Sequence, residues 1–324
     1  MFAWDSTSLG YLKTCPRLYQ YIILDGWSPR DDSIHLTFGA AYHAALEHFD
    51  HQIALGTPRD TAIHNVIATL VSRVWDWPVD PTTKAGRYKN RDTLLALVVD
   101  YLDHFNPDPA HTYIRTDGTP AVELSFRFEL DWGPEPVHAS DCELHNEPAY
   151  PAGPCSCGVQ PQPYLLCGHL DRVVNFNSSL FVMDRKTTTT TLGAYYFSQY
   201  NPSNQMSLYT LAGRIILNAP IRGVIIDAAQ IKLEEPNAFA RGFTYRTEAQ
   251  LDEWLNDLRT TLALAETYAL NSHWPMNDTS CDKFGGCRFR GICAADPHVR
   301  PALLKSDFIK LDEQSRWNPL RSRG

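Results

Sequence analysis

The residues whose types and spacing could do chemistry concentrate between positions 165 and 187, Leu-Leu-Cys-Gly-His-Leu-Asp-Arg-Val-Val-Asn-Phe-Asn-Ser-Ser-Leu-Phe-Val-Met-Asp-Arg-Lys-Thr. Two apolar, β-branched-rich runs flank Asn177-Ser178-Ser179, the composition of a hairpin turn. A two-residue or four-residue loop sets Phe176 opposite Ser179 and, counting outward, Asp171 opposite Asp184. A three-residue loop would shift that register by one. Side chains alternate along a strand, so Val182, Asp184 and Lys186 share one face. Crowded carboxylates repel unless a proton or cation lies between them. A hard divalent ion such as magnesium suits oxygen ligands of this kind. An adjacent lysine could then orient a metal-activated water toward a phosphodiester. Taken alone, Asp-x-Lys is a weak signal, because the polar face of any hairpin can carry Asp and Lys.

Residues 6–24 open with Ser6-Thr7-Ser8 as helix caps and are interrupted at Cys15-Pro16. That pattern predicts two short helical pieces or one kinked helix. Residues 38–49 form a strong helix, with Phe38, Ala41, Tyr42, Ala45, Leu46 and Phe49 on one stripe. His43 and Glu47 lie four apart on its shoulder. Thr57-Pro58 opens the next helix, lined by Ile63, Val66, Ile67, Leu70 and Val74, and a third covers about 93–105. Between the last two, Lys84 to Arg91 reads as a solvated basic loop. From Val122 to Leu130 apolar and polar residues alternate, as in a half-buried strand. After the hairpin, Asn201-Pro202 starts a helix that aligns Gln205, Tyr209, Ala212 and Ile216. A strand from Val224 to about Lys232 and a helix over about 247–270 follow. Residues 131–163 are rich in Pro, Gly and Cys without apolar periodicity and read as an insertion. The tail 301–324 is polar and expected to be loosely held.

The chain has 324 residues, 44% of them apolar and 20% charged, ample for a sizeable core in one large domain or two ordinary ones. No apolar run approaches the ~20 residues that span a bilayer, and the N-terminus shows no secretory signal pattern. An intracellular, cytoplasmic protein without membrane partners is expected. The formal net charge is −8, from 29 Lys+Arg against 37 Asp+Glu. That argues against a protein that merely coats nucleic acid, which would usually be basic. It does not exclude an enzyme with a locally positive cleft and metal ions.

Eight cysteines in such a chain suggest metal ligation before disulfides. Cys142-x2-His145 and Cys155-x-Cys157, in the insertion, are enough for a zinc-type site, and a flexible loop with reduced thiols is the alternative. Cys167, in the hairpin, reads as a buried core thiol. Cys15 stands far upstream, and Cys281, Cys287 and Cys293 form a late group.

These pieces together resemble the RecB-like branch of the PD-(D/E)XK nuclease superfamily, particularly its iron–sulfur members. Those include CRISPR-associated RecB-like exonucleases, the AddB nuclease domain and phage exonucleases. The resemblance runs from Ser8 to Cys293 in the family's order. It comprises Ser-Leu-Gly-Tyr-Leu-Lys-Thr-Cys-Pro-Arg-Leu-Tyr around Cys15, Phe-Gly-Ala-Ala-Tyr-His-Ala-Ala-Leu-Glu around His43, Gly-His-Leu-Asp and Asp-Arg-Lys in the hairpin, Gln-Met-Ser-Leu-Tyr downstream, and the late cysteines.

The resemblance implies a restriction-endonuclease-like α/β fold, a mixed sheet flanked by helices, in one nuclease domain over residues 1–300 with a helical subregion at about 38–106. It implies Mg2+ or Mn2+ held by His43, Asp171, Asp184 and the backbone carbonyl of Arg185, with Lys186 catalytic. Gln205 and Tyr209 would steady the lysine or the DNA strand, while Glu47 and Glu123 are candidate accessory acids for which a structural role is favoured. It further implies a [4Fe–4S] cluster on Cys15, Cys281, Cys287 and Cys293. The Cys281-x5-Cys287 spacing departs from the Cys-x2-Cys of many relatives, which keeps a four-thiolate Zn2+ site open. The expected activity is exonucleolytic hydrolysis of DNA, single-stranded or with free ends. The setting would be recombination, repair or replication, with host-cytoplasm location if the gene is phage-borne. A DNA-binding or assembly subunit of a recombination or CRISPR-adaptation complex is the alternative.

Overall fold

The computed structural model describes residues 3–30, 34–77, 82–134, 138, 140–143, 155–160, 162–283 and 286–321. In chain order its elements are β1 (Ala3–Trp4), α1 (Ser6–Thr14), α2 (Pro16–Tyr19) running into a π-turn (Gln20–Leu24), β2 (Trp27–Pro29), α3 (Ile34–Ala54), α4 (Arg59–Val74), α5 (Lys84–Tyr88) and α6 (Arg91–His104). Then come β3 (His111–Thr112), β4 (Val122–Glu129), β5 (Leu165–Phe176), β6 (Ser179–Thr188), α7 (Ala194–Ser198), α8 (Asn204–Leu217), β7 (Gly223–Gln230), β8 (Ala238–Tyr245) and α9 (Glu248–Leu270). The chain closes with α10 (Arg290–Ala294), α11 (Arg300–Asp307) and β9 (Phe308–Lys310). This is a mixed α/β fold, a sheet of parallel and antiparallel pairs flanked by helices, consistent with the restriction-endonuclease-like class.

Two compact units are present. One combines residues 1–31, 125–168 and 252–324, and the other residues 32–124 and 169–251. In the second unit β5 pairs antiparallel with β6, β6 parallel with β7, and β7 antiparallel with β8. The hairpin has the expected register, from Phe176↔Ser179 to Arg172↔Met183. Its two loop residues, Asn177 and Ser178, take φ of 49° and 59°. Positive φ at both central positions is the type I′ turn that matches the strand twist. Every residue of β7 is buried, as expected of a strand covered on both faces.

Helices α3, α4 and α6 build the helical layer of this unit. Phe38, Tyr42 and Leu46 of α3 meet Val66 and Leu70 of α4 and Leu94, Leu97 and Tyr101 of α6 in one apolar cluster. At about 1.5–3 kcal/mol for each large apolar side chain removed from water, this stripe is what holds α3 in place. Helix α8 covers the Val182 side of β6, where a Cβ on Gly213 would stand 3.0 Å from Val182 Cγ2 and 3.1 Å from Ile221 Cγ1. The absent side chain permits that close approach.

Several expectations are corrected. Residues 84–91 are not a solvated loop. Thr83 caps the short α5, Lys89 is buried with its ammonium over the Phe38 ring, and Asn90 caps α6 through the Asp92 and Thr93 amides. The lysine's methylenes satisfy an apolar site, which a count of charges does not reveal. Strand β8 and helix α7 form from segments without a clear periodic signal in the sequence. The helix expected from Asn201 begins at Asn204 with Ser203 as its cap.

The first unit has its own aromatic core. Trp4 stacks on Tyr19 at 5.5 Å between ring centroids, and Tyr19 meets Trp274 at 5.3 Å. The described residues beyond 300 are anchored at several points rather than loose. Leu304 and Phe308 are buried with Tyr21, Phe289 and Ile292, and Phe308 stacks on Phe289 at 4.3 Å. Strand β9 pairs antiparallel with β2, and Trp317 Nε1 donates to Asp5 Oδ2 at 2.9 Å. A few apolar anchors at the right spacing suffice to dock an otherwise polar tail. Among the described residues no helix is long and apolar enough to cross a membrane.

Candidate active site

Strand alternation puts Asp184 and Lys186 on the α8 side of β6, and Met183 and Arg185 on the other. The β5–β6 ladder reaches Arg172↔Met183. One step beyond it, the Asp171 carboxylate takes the place of a backbone acceptor, and Oδ2 receives the Arg185 N–H at 3.0 Å. His43 Nδ1 of α3 lies 3.2 Å from the same oxygen. Lys186 Nζ donates to Asp184 Oδ1 at 3.0 Å and to Gln205 Oε1 at 3.2 Å, and Gln205 Nε2 donates to the Tyr209 hydroxyl at 3.1 Å. His43, Asp171, Asp184, Lys186, Gln205 and Tyr209 are therefore gathered in one place. They come from two helices and two strands.

The two aspartates form a buried floor, at 7% and 2% exposure. The His43 and Lys186 side chains, at 25% and 26%, reach solvent above it. Burial and the neighbouring Asp171 charge push the Asp184 carboxyl above its ordinary range, with Lys186 and His43 opposing. Burial would raise Asp171 too, but the His43 imidazole, Lys186 and the Arg185 N–H outweigh it and hold this carboxyl low. Burial would lower the Lys186 ammonium, yet the Asp184 carboxylate, Tyr209 and Asp171 keep its proton firmly bound. One acidic floor thus contains an ionised aspartate and a second that ionises at a cost, beside a charged lysine. Carboxylates crowded in this way share a proton or a cation between them.

The donor set fits a hard divalent ion. Asp184 Oδ2 lies 2.7 Å from Lys186 Nζ, but without hydrogen-bond geometry, and this buried oxygen accepts no hydrogen bond. A buried carboxylate oxygen with unused acceptor capacity, a second carboxylate and an imidazole nitrogen are ligands for Mg2+ or Mn2+. Glu47 stands one turn from His43, and burial, partly offset by His51, raises its carboxyl.

On the opposite face of β6 lies a charge network that sequence reasoning missed. Arg185 is fully buried and its Nη2 donates to Asp50 Oδ2 at 2.5 Å. Arg172 Nη1 lies 3.2 Å from Asp50 Oδ1. Tyr101 donates to Asp227, which also accepts from Arg241 Nε at 3.1 Å, and Arg241 forks onto Asp108 at 2.6 and 2.9 Å. Asp50 lies two helical turns beyond His43, so its pairing with β6 fixes the helix that carries the histidine. The available signal was Asp50 at i+7 from His43, at the border of the apolar stripe.

The cysteines fall into two groups. Cys15 caps α2, and its Sγ accepts the Asn277 N–H at 3.3 Å, while Asn277 Nδ2 and Ser280 Oγ donate to the Thr14 carbonyl at 2.8 and 2.9 Å. Cys287 N–H donates to the Cys281 carbonyl at 2.8 Å. Burial pushes the Cys287 and Cys293 thiols up; Cys281 and Cys15 add to the rise at Cys287, while at Cys293 Arg17 and Arg300 oppose it and Cys15 and Cys287 add to it. Four cysteine thiols are, by their chemistry, a donor set suited to a thiophilic metal group. In the insertion, Cys142, Cys155 and Cys157 converge with His138. His145 lies outside the described residues. Cys167 is buried, and burial pushes its thiol up to about 11, the behaviour of an inert core residue.

The family model of the PD-(D/E)XK nuclease superfamily matches residues 6–294. The chain belongs to that superfamily and is a nuclease by family. Among solved structures, a candidate exonuclease from Eubacterium rectale is similar at 10% identity and a TM-score of 0.46, over 87% of this chain and 86% of that one. The protein SSO0001 is similar at 13% identity and a TM-score of 0.33, over 91% and 87%. At these values neither likeness adds to the family assignment. A comparison with curated proteins found no match.

Proposed function

We propose that the chain is a Mg2+- or Mn2+-dependent deoxyribonuclease that hydrolyses phosphodiester bonds at DNA ends, with a preference for single strands. The observation that carries this reading is the meeting of His43 with Asp171, and of Lys186 with Asp184, at one partly open acidic floor. His43, Asp171, Asp184 and the Arg185 backbone carbonyl would hold the ion. Bound there, the metal supplies Lewis-acid polarisation of the phosphate and a water acidified toward neutrality. Lys186, kept protonated by Asp184, contributes positive charge where phosphate charge grows and a donor that orients the attacking water. Gln205 fixes the ammonium, and Tyr209 fixes Gln205.

Cys15, Cys281, Cys287 and Cys293 are proposed to hold a [4Fe–4S] cluster, with Zn2+ as the alternative. Closing a loop of more than 260 residues makes ligand binding energy part of folding energy. Brown colour and absorbance near ~400 nm in anaerobically purified protein would favour iron. The proposed setting is DNA recombination, repair or replication in the cytoplasm, alongside proteins of those processes or of CRISPR adaptation.

The test is degradation of end-labelled and circular single-stranded DNA by purified protein with Mg2+. Activity on labelled ends, its absence on circles, and its loss in Asp184→Ala are expected. Equal activity in the wild type and Asp184→Ala would refute the site. Binding without cleavage by the wild type would point instead to a DNA-binding or assembly subunit.

A further inference from the structure

Residues 131–163 contain no apolar periodicity, yet their described part is closed at its base. Leu130 N–H donates to the Tyr164 carbonyl at 2.8 Å, and Tyr164 N–H to the Trp132 carbonyl at 3.0 Å. Trp132 packs edge-on against Tyr164 at 5.2 Å, beneath the Arg259 guanidinium at 5.1 Å. What holds the described residues between these anchors is not an apolar stripe, since the sequence offers none.

Side-chain donors account for it. His138 Nδ1 lies 3.3 Å from Cys157 Sγ and 3.6 Å from Cys142 Sγ, and Cys142 Sγ lies 3.4 Å from Cys155 Sγ. All four donor atoms fall within 4.8 Å of one another. A tetrahedral ion with metal–sulfur bonds of about 2.3 Å and a metal–nitrogen bond of about 2.0 Å spaces its donors roughly 3.5–3.8 Å apart. The observed separations are at or just inside that spacing. They are far longer than the ~2.05 Å of a disulfide. The backbone is shaped for the same purpose. Gly158 takes φ of +83°, its N–H donates to the Cys155 carbonyl at 2.9 Å, and Cys155 N–H donates to the Val159 carbonyl at 2.8 Å. That tight turn presents Cys155 and Cys157 together. His138 is 2% exposed, a polar ring buried among thiols.

We propose that His138, Cys142, Cys155 and Cys157 form a closed structural zinc site that folds the insertion. Three thiolates and one imidazole in tetrahedral array are the donor chemistry of zinc. Four protein ligands leave no open position, so the site takes no substrate and its role is to order this segment. The inference is independent of the proposed nuclease chemistry, and its readout is metal content rather than cleavage.

Zinc and iron are measured in the purified full-length wild type, His138→Ala, His138→Cys and His145→Ala, followed by replacement of zinc with cobalt. The wild type, His145→Ala and His138→Cys should share one zinc equivalent per chain that His138→Ala has lost, with iron content and circular dichroism unchanged. Cobalt-loaded His138→Cys should change its visible spectrum from that of three sulfurs and a nitrogen to that of four sulfurs. A glutamyl endopeptidase should cut after Glu143 in His138→Ala and spare that bond in the wild type. Wild-type zinc retained in full by His138→Ala, zinc lost from His145→Ala, or no zinc beyond the four-cysteine group would each overturn the assignment. Should His138→Ala fail to fold, the cobalt spectrum of His138→Cys decides, and an unchanged spectrum refutes the ligand.

Discussion

Substituting Asp50→Asn tests whether the buried charge network holds the site in register. Asp50 is 4% exposed and faces two buried guanidiniums, Arg185 at 2.5 Å and Arg172 at 3.2 Å. Asparagine keeps the shape but removes the charge, leaving Arg172, Arg185 and Arg241 to share Asp108 and Asp227. Breaking a buried pair from one side costs about 3–5 kcal/mol, because the remaining charge is uncompensated. Against a typical stability of about 5–15 kcal/mol this is a large fraction. At roughly 2–4 °C per kcal/mol for a domain of ~200 residues, the midpoint of thermal unfolding should fall by on the order of 10 °C. The effect should reach His43 through α3, so the gain in unfolding temperature on adding Mn2+ should shrink as well. Replacing both partners, as in Asp50→Leu with Arg185→Met, should recover much of the lost stability, since an apolar pair carries no desolvation penalty. Differential scanning calorimetry of the single and double variants gives the coupling directly. If Asp50→Asn melts within about 1 °C of the wild type, the network contributes nothing and the argument that it positions His43 fails.

Two further predictions follow from neighbouring contacts. Gln205→Ala removes the acceptor that holds Lys186 Nζ at 3.2 Å. A hydrogen bond to a charged group, about 1.5 kcal/mol, corresponds to roughly tenfold in kcat. The KM for DNA and the unfolding temperature should change little, and a loss seen in KM alone would contradict a lysine-positioning role. Asp108→Asn probes the acid limb of stability. Burial would raise the Asp108 carboxyl, but the Arg241 fork, the Ala110 N–H and Arg172 together hold it below its ordinary value of 3.8. A depressed carboxyl stabilises the fold fully above its unfolded value, and that contribution is lost as pH falls through the lower folded value. The variant should therefore be about 1–3 kcal/mol less stable at neutral pH. The gap should close as pH drops below about 4, and a gap that stays constant with pH would refute the sign.

What the sequence determined by itself is what depends on short-range periodicity. The Asn177-Ser178 turn and the alternation beside it set the hairpin register and put Asp184 and Lys186 on one face. A helical stripe from Phe38 to Phe49 placed His43 at the border of the buried face, and Gln205 and Tyr209 one turn apart on α8 were legible for the same reason. Tertiary structure alone decided which distant side chains meet. His43 reaches Asp171, Asp50 pairs with Arg185 across 135 positions, and Lys89 lies buried on Phe38. The polar tail docks through Leu304 and Phe308, and among the described residues His138 joins the three insertion cysteines. Burying a charge or a polar ring is unfavourable unless a partner is already in place. That partner is supplied by another part of the chain, so neither hydropathy nor spacing along a single segment can announce it.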